Sequence, residues 1–329
     1  MEHEPPKPPK TIDELMGYLC SKEKNPLRIS GDAQKQDLRN MGYYHGYKGY
    51  RYCRKVNNEL PYTDFDQLRD VYDFDMRIKT LLYPWVMFLE TALKNYTLEI
   101  VLEKRQSSVF EDVCQEVLSI NKPVDLLKFY RTAYEVLVRD SSRPAVRYFY
   151  EKNKSMPIWA VFEVFSMGNL GEFLGLLQQP YREKLSQAIG LPMLTGLPSQ
   201  KDDDEECRLS QQLVHTLKYL RNAIAHNAPI FDARFNLDNN KCNVAKCVKI
   251  YMEQETEIVR WEWDNIADYV LLVAQLLTHF GVPRSEIREK ILEGFIAERN
   301  SIKVKVPDNI AKYVVPQIGL NNVQQYMKK

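Results

Sequence analysis

The chain has 329 residues and a formal net charge of +1, and at about 100–200 residues per domain this fits one large domain or two closely joined ones. Hydrophobic residues make up 44% of it and charged residues 27%, which excludes a disordered or collagen-like protein. The balance of 45 Lys and Arg against 44 Asp and Glu excludes a protein that coats nucleic acid by overall basicity, but leaves a local basic patch open.

The N-terminal residues 1–10 are polar and rich in proline, which predicts a flexible arm of extended, polyproline-like conformation. This arm lacks the apolar core of a secretory signal. The longest apolar run, residues 270–280, includes Gln275 and His279 and is too short to span a membrane, which takes about 20 apolar residues. We therefore expect a cytoplasmic protein with no membrane segment. The six cysteines are scattered, so free thiols are expected instead of a zinc site.

Helical periodicity dominates the first half of the chain, because apolar residues recur every three or four positions. One long pattern covers residues 64–104, and Pro84 is expected to kink or divide it. A second covers residues 124–150, with a break at Pro144.

The next helix is predicted to open at Pro157 and to end at Gly168. Asn169 with Glu172 resembles a capping box that would start the helix after it.

The second half begins with a predicted loop at residues 191–200, followed by an acidic run at residues 202–206. This run would lie at the start of a helix over residues 207–228, where negative charge is favourable. A polar loop is expected at residues 232–243, and residues 257–263 alternate enough for a short strand or an extended connector. Further helical patterns follow at residues 244–254, 265–280 and 283–300.

These patterns predict an all-α fold, and the low glycine content, 13 residues, also argues against a sheet-rich fold. We expect one helical domain over residues 11–300, in which a division into two subdomains stays open. Residues 301–329 are predicted to be a basic, partly helical C-terminal tail.

The helix around Arg221 has two contrasting faces when it is wound at about 100° per residue. Four apolar residues share one side and predict a core-facing stripe: Leu213, Leu217, Leu220 and Ile224. Polar residues other than carboxylates share the opposite side: Gln211, His215, Lys218, Asn222 and His226. No Asp or Glu occurs in residues 207–228, whereas a solvated helix face ordinarily carries both charge signs.

The residue types near Arg221 suit phosphate chemistry. Histidine can give or take a proton near neutral pH, and the planar guanidinium of arginine matches phosphate oxygens. Arg221 and His226 lie about 140° apart around the helix, so they could converge only on a ligand or across a partner helix. An Arg and a His five positions apart often occur by chance, so the spacing alone favours an ordinary surface or interface histidine over a catalytic one.

Four segments, in the same order, resemble the bacterial abortive-infection family of the AbiD/AbiF type, the Abi-like proteins. The resemblance covers about residues 11–297. The segment Arg221-Asn-Ala-Ile-Ala-His226 is also similar to the R-x-x-x-x-H signature of HEPN ribonucleases. The other segments are residues 38–50, residues 72–77 followed by Glu90 and Lys94, and a segment with Pro157, Trp159, Glu163, Ser166 and Gly168. Lys94 departs from the family, which commonly has Arg at this position.

The resemblance implies a HEPN-type helical bundle with additional N- and C-terminal helices. It also implies a metal-independent endoribonuclease of a phage-defence system, an abortive-infection or toxin–antitoxin protein related to the type VI CRISPR effector nucleases. No cofactor and no catalytic metal are expected. The implied partners are RNA, as substrate and as a small regulatory non-coding RNA, and a second copy of the chain.

A homodimer is expected because such nucleases pair two motifs, whereas this chain holds one. In the mechanism that the resemblance implies, His226 acts in acid–base catalysis, Arg221 stabilises charge on the phosphate, and Asn222 orients either group. The alternative is a catalytically silent HEPN protein that dimerises and binds a small RNA. A purely structural dimerisation module is a third possibility.

Residues 39–55, the Tyr-rich segment, interleave tyrosines with cations and contain no acid, which predicts stacking on bases and contact with phosphates. Packing of these tyrosines against the core is the alternative. The candidate RNA-binding residues are Tyr43, Tyr44, Tyr47, Lys48, Arg51, Arg54 and, from the helix, Lys218. Glu90 and His215 are candidate supporting residues, with Glu90 expected to pair with Arg221 or Lys94. Trp159 and Glu163 are interpreted as structural.

Overall fold

The computed structural model describes residues 8–192, 208–238 and 241–329. Within these ranges the chain is helical apart from one antiparallel hairpin, in which Leu237–Asp238 (β1) pairs with Lys241–Cys242 (β2). The predicted all-α fold is confirmed. No described helix is both long and apolar enough to cross a bilayer.

Ten helices are described within residues 8–192: α1 (Ile12–Cys20), α2 (Gly31–Met41), α3 (Lys48–Tyr50), α4 (Phe65–Leu102), α5 (Phe110–Val117), α6 (Pro123–Arg139), α7 (Pro144–Glu151), α8 (Ile158–Val164), α9 (Met167–Leu176) and α10 (Gln179–Ile189). The helices described after residue 207 are α11 (Leu209–Ala225), α12 (Lys246–Thr256), α13 (Ile266–His279), α14 (Arg284–Ile287), α15 (Glu293–Lys305), α16 (Asp308–Val314) and α17 (Gln317–Met327). Two π-helical turns, Gly42–Tyr47 and Arg288–Leu292, precede α3 and α15, and a 3-10 turn, Arg234–Asn236, follows α11.

Helix α4, with 38 residues, is the element against which α10, α11, α13 and α15 pack. Its N-cap residue is Asp64, whose carboxylate accepts a hydrogen bond from the backbone amide of Asp66. Of the two effects predicted for Pro84, a kink or a division, the division does not occur, because α4 continues through Pro84. Pro84 removes one backbone donor, but both Pro84 and Thr80, four residues earlier, are exposed, so water can bind the carbonyl that lacks a partner.

The predicted helix start at Pro157 is confirmed, since Pro157 is the N-cap of α8. Its predicted end at Gly168 was wrong: α8 ends at Val164, and Ser166 caps a new helix, α9. The Ser166 hydroxyl accepts a hydrogen bond from the amide of Asn169, and the Asn169 side chain accepts one from the amide of Ser166 over 2.9 Å. This capping box replaces the predicted pair of Asn169 and Glu172. The break at Pro144 is confirmed by the start of α7.

Helix α11 buries the apolar stripe predicted for it. Its four members are at most 9% exposed: Leu213, Leu217, Leu220 and Ile224. The acidic run at residues 202–206 lies outside the described residues, as does most of the loop predicted at residues 191–200.

The C-terminal third is helical and packed. Helices α12, α13 and the pair α14 and α15 confirm the three predicted patterns with shifts of a few residues, while residues 257–263 form no strand. The loop predicted at residues 232–243 contains the 3-10 turn and the hairpin. Beyond residue 301, α17 packs on α13, where the Tyr326 hydroxyl donates to Gln275 Oε1 over 3.0 Å. The last segment is thus part of the helical core and not a solvated terminus.

Candidate functional site

Arg221 is held on α11 by a carboxylate from α4. Its Nε donates to Oε2 of Glu90 over 2.9 Å, and Lys94 donates to the other oxygen, Oε1, over 3.1 Å. The Glu90 side chain is 9% exposed, so this is a buried ion-pair cluster and not a surface pair between neighbours on one helix. Lys94 also donates to the carbonyl of Phe165, which ties α4 to the end of α8.

Three groups at the C-terminal end of α11 keep their polar atoms available. Glu90 engages Nε of Arg221, and no described protein group takes the two terminal guanidinium nitrogens. Among the described residues, neither the side-chain amide of Asn222 nor the imidazole of His226 has a hydrogen-bond partner. His226 is the C-cap residue and is exposed. A fixed cation, a free amide and an exposed imidazole therefore occupy one helix end.

The turn after His226 is pinned by a buried network from α4. Asn227 has a left-handed backbone (φ +55), and its side-chain oxygen accepts a hydrogen bond from Lys79 over 2.8 Å. Lys79 pairs over 2.8 Å with the fully buried Asp75. Asp75 also accepts hydrogen bonds from the amides of Ile230 and Phe231 over 2.8 and 2.7 Å.

Asp75 and Lys79 were not predicted to support the site. A signal was present, because both lie four residues apart among buried apolar positions of α4, where a charge needs a partner. Tyr50 completes the network, since its hydroxyl donates to Asp75 over 2.7 Å. Burial, followed by the nearby Asp75 carboxylate, raises the pKa of Tyr50 well above its usual range.

A second clamp follows at Asp232, which is fully buried in the segment predicted as a polar loop. Its carboxylate pairs with Arg234 over 2.7 Å and accepts a hydrogen bond from the amide of Arg54. Arg234 also donates to the carbonyls of Gly49 and Tyr52, so the Tyr-rich segment is fastened beside the turn that follows α11. Burial would lower the pKa of Arg234, but Asp232 and Tyr52 raise it above its ordinary value.

The Tyr-rich segment divides into buried and accessible members. Tyr47 is 3% exposed and its hydroxyl accepts a hydrogen bond from Lys22, while the Arg54 guanidinium donates to the carbonyls of Asp232 and Trp263. The fold uses both side chains, and their predicted contact with RNA stays a prediction. Tyr50, not among the candidates, is also buried.

The accessible members form a small aromatic and cationic surface. Tyr44 is 76% exposed, and the Lys48 ammonium lies 4.6 Å from its ring centroid and 5.3 Å from that of Tyr43. Tyr43 is half-buried, and burial raises its pKa to about 12. Arg51 is half-buried, with Nε 4.0 Å from Glu59. The accessible candidates within this segment are thus Tyr43, Tyr44, Lys48 and Arg51, and their contact with RNA stays a prediction.

Much of the acid-free face of α11 is covered by α9. A methyl group built on Gly171 would lie 2.8 Å from Cε1 of His215, and one on Gly168 would lie 3.5 Å from Cδ of Lys218. His215 is consequently half-buried, and burial, with a smaller effect of Lys218, lowers its pKa. His226, at the end of this face, is exposed, while Asn222 beside it is half-buried.

A cleft of about 230 Å³ opens beside Arg221. It lies between α4, α8 and α11, and its lining includes Glu90, Lys94, Trp159, Phe162, Glu163 and Arg221. Trp159 is 45% exposed, so this residue, interpreted from sequence as structural, borders the cleft with an accessible ring. Across the described ranges, no group of three or more His, Cys, Asp or Glu is placed to hold a metal ion.

A family described as Abi-like protein matches residues 36–232, more than half of the chain. The chain belongs to the Abi-like family. The matched region runs from α2 to Asp232 and includes Arg221, His226 and Glu90, which confirms the predicted family. No curated protein and no solved structure matches the chain. Membership of the Abi-like family points to a role in abortive infection, the bacterial defence against phage, and is compatible with a nuclease.

Proposed function

We propose that this Abi-like protein is a metal-independent endoribonuclease, a cytoplasmic toxin of a phage-defence system. The observation that carries the proposal is the state of the α11 end. Glu90 fixes Arg221 through Nε, while the terminal guanidinium nitrogens, the Asn222 amide and the His226 imidazole remain without a described protein partner. Positively charged donors fixed before substrate binds are what a reacting phosphate requires.

In the proposed reaction the ribose 2′-oxygen attacks the adjacent phosphorus, and the bond from phosphorus to the 5′-oxygen breaks. One imidazole takes the 2′-hydroxyl proton and another protonates the departing 5′-oxygen. Arg221 stabilises the charge that builds on the phosphoryl oxygens. The products carry a 2′,3′-cyclic phosphate and a 5′-hydroxyl. Asn222 orients the imidazole or the phosphate.

The two imidazoles come from two chains, since each chain supplies one His226. A twofold axis near the end of this helix would bring both copies of Arg221, Asn222 and His226 to one cleft. The exposed position of His226 leaves it accessible to a partner subunit. RNA is the proposed substrate, and a small non-coding RNA is a proposed regulator.

End-group analysis of the cleaved RNA tests this function. The full chain is incubated with an oligoribonucleotide in a chelator, and the products are identified by mass spectrometry. We expect 2′,3′-cyclic phosphate ends and no cleavage when the 2′-hydroxyl at the cut is replaced by hydrogen. Cleavage of the 2′-deoxy linkage, or RNA binding without cleavage, would contradict the proposal, and the latter would support the catalytically silent alternative. Sedimentation that shows only monomers would contradict the shared site.

A further inference from the structure

The cleft beside Arg221 has the composition of a nucleobase site. Its wall includes Trp159, 45% exposed, and its floor includes the side chain of Phe162, 1% exposed. The Trp159 ring packs edge-on against Phe149, with centroids 5.3 Å apart and planes at 74°, which fixes the indole while part of it stays accessible. Aromatic faces of this kind stack on unpaired bases.

The charged side chains of the cleft do not form simple pairs of one cation and one carboxylate. The Glu90 carboxylate pairs with both Arg221 and Lys94. This cluster of one carboxylate and two cations keeps one net positive charge, which can bind a phosphate. Glu163 also lines the cleft, one helical turn from Trp159 on α8, and is exposed. No hydrogen bond or ion pair is formed by Glu163 within the part of the chain that the structure describes. An ionised carboxylate can only accept hydrogen bonds.

We propose that this cleft binds a guanine base of the RNA next to the phosphate that Arg221 contacts. Guanine is the base whose Watson–Crick edge presents two adjacent donors, N1–H and the N2 amino group, which match the two oxygens of one carboxylate. Adenine and cytosine present one amino group beside a ring acceptor, and uracil presents one N–H between two carbonyl groups. Trp159 stacks on the guanine and Glu163 accepts from its edge. The inference rests on the proposed ribonuclease function, because Arg221 places the phosphate.

Equilibrium binding to a non-cleavable RNA tests the guanine site apart from catalysis. The probe is a fluorescent 2′-O-methyl oligouridine with a single central guanosine, and a matched probe carries inosine, which lacks the N2 amino group. Fluorescence anisotropy is measured with the full-length protein. We expect the guanosine probe to bind about tenfold more tightly than the inosine probe, the size typical of one lost hydrogen bond to a charged group.

Variants at the two cleft residues make the expectation specific. Trp159→Ala should weaken binding of the guanosine probe about tenfold, as for the loss of one stacked base, and Trp159→Phe should retain most of the affinity. Glu163→Gln should bring the two probes within about twofold of each other. Tyr313→Ala and Glu253→Gln, which remove an exposed ring and an exposed carboxylate elsewhere, are matched controls that should change neither value. Thermal melting confirms that each variant is folded.

The outcomes separate this inference from the proposed function. Wild-type affinity and wild-type guanosine preference in both Trp159→Ala and Glu163→Gln would overturn the guanine site, whether or not the protein cleaves RNA. Guanosine-selective binding that depends on Trp159 and Glu163, without any cleavage of an unmodified RNA, would support the site and overturn the ribonuclease. No binding to either probe would overturn the guanine site.

Discussion

Nε of Arg221 donates to Oε2 of Glu90 over 2.9 Å, so the guanidinium is anchored through Nε while no described protein group takes its two terminal nitrogens. This geometry turns a flexible side chain on α11 into a fixed donor pair. The anchor is itself fixed, because Lys94 binds the second oxygen of Glu90 and the carbonyl of Phe165. The position of Arg221 is therefore set by α4 and by the junction between α8 and α9.

Glu90→Gln is expected to lower RNA cleavage by about 10- to 100-fold, because a neutral amide holds the guanidinium less firmly and small misplacements are costly in catalysis. The free energy of unfolding should fall by about 1–3 kcal/mol, since Arg221 and Lys94 lose their counter-charge in a largely buried place. Initial cleavage rates and urea denaturation measure the two effects. Glu99→Gln, an exposed carboxylate on the same helix, is the control. Unchanged cleavage in Glu90→Gln would contradict the positioning role.

Asp75→Ala is expected to lower the free energy of unfolding by about 3–5 kcal/mol, because Lys79 would be left buried without a counter-charge and the turn would lose its amide acceptor. The half-buried neighbour Asp73 makes no comparable contacts in the described structure, so Asp73→Ala should stay within about 0.5 kcal/mol of the wild type. Urea denaturation measures both. Equal stabilities would show that this network does not pin the turn.

Asp268 should make stability depend on pH. Burial raises its pKa to about 7, against an opposing effect of the hydrogen bond from the Trp263 amide. Between the value of an unfolded Asp, about 3.9, and that raised value, the folded chain binds more protons than the unfolded chain. The contribution of Asp268 to the free energy of unfolding is therefore greatest at low pH and is lost as pH rises towards about 7.

Denaturation of the wild type and of Asp268→Asn from pH ~4 to ~8 measures this contribution as a difference between the two proteins. The wild type should lose stability relative to the variant as pH rises, and the difference should level off above the raised pKa. Asp308→Asn, an exposed carboxyl, should track the wild type. A difference that does not change with pH would contradict the expectation.

The accessible part of the Tyr-rich segment should contribute to RNA affinity. Lys48→Glu combined with Tyr44→Ala is expected to weaken binding and to reduce the slope of log affinity against log salt by about 0.7, the value for one phosphate contact on a single strand. Titrations at several salt concentrations measure the slope. Lys246→Glu, at an exposed lysine on α12, is the control for a change of charge alone. An unchanged slope would return Tyr44 and Lys48 to a packing role.

The course of the helices was largely predictable, because periodicity reports burial directly. Leu213, Leu217 and Leu220 had to face the core, and they do. The capping choice at Ser166 was missed, because Ser166 with Asn169 and Asn169 with Glu172 are both plausible helix starts and only packing decides between them. Whether Pro84 divides its helix depends on which side of the helix faces water, and the sequence left both a kink and a division open.

The site was predictable in its residue types and less so in its surroundings. The absence of acids on α11 was read as a face suited to phosphate chemistry, whereas α9 covers much of that face through Gly168 and Gly171. Small residues three apart on α9 carried that information, but nothing in the sequence says which helix they meet. The link between Lys79 and Asn227 joins residues 148 positions apart, which one sequence cannot pair.

Cleavage of one RNA by the wild type, Arg221→Ala and His226→Ala, with a chelator present, tests the central claim most directly. We expect the wild type to cleave the RNA. Each variant, shown by thermal melting to be folded, should cleave it at least about 100-fold more slowly, as expected for loss of charge stabilisation or proton transfer. Cleavage by either variant at the wild-type rate would contradict it.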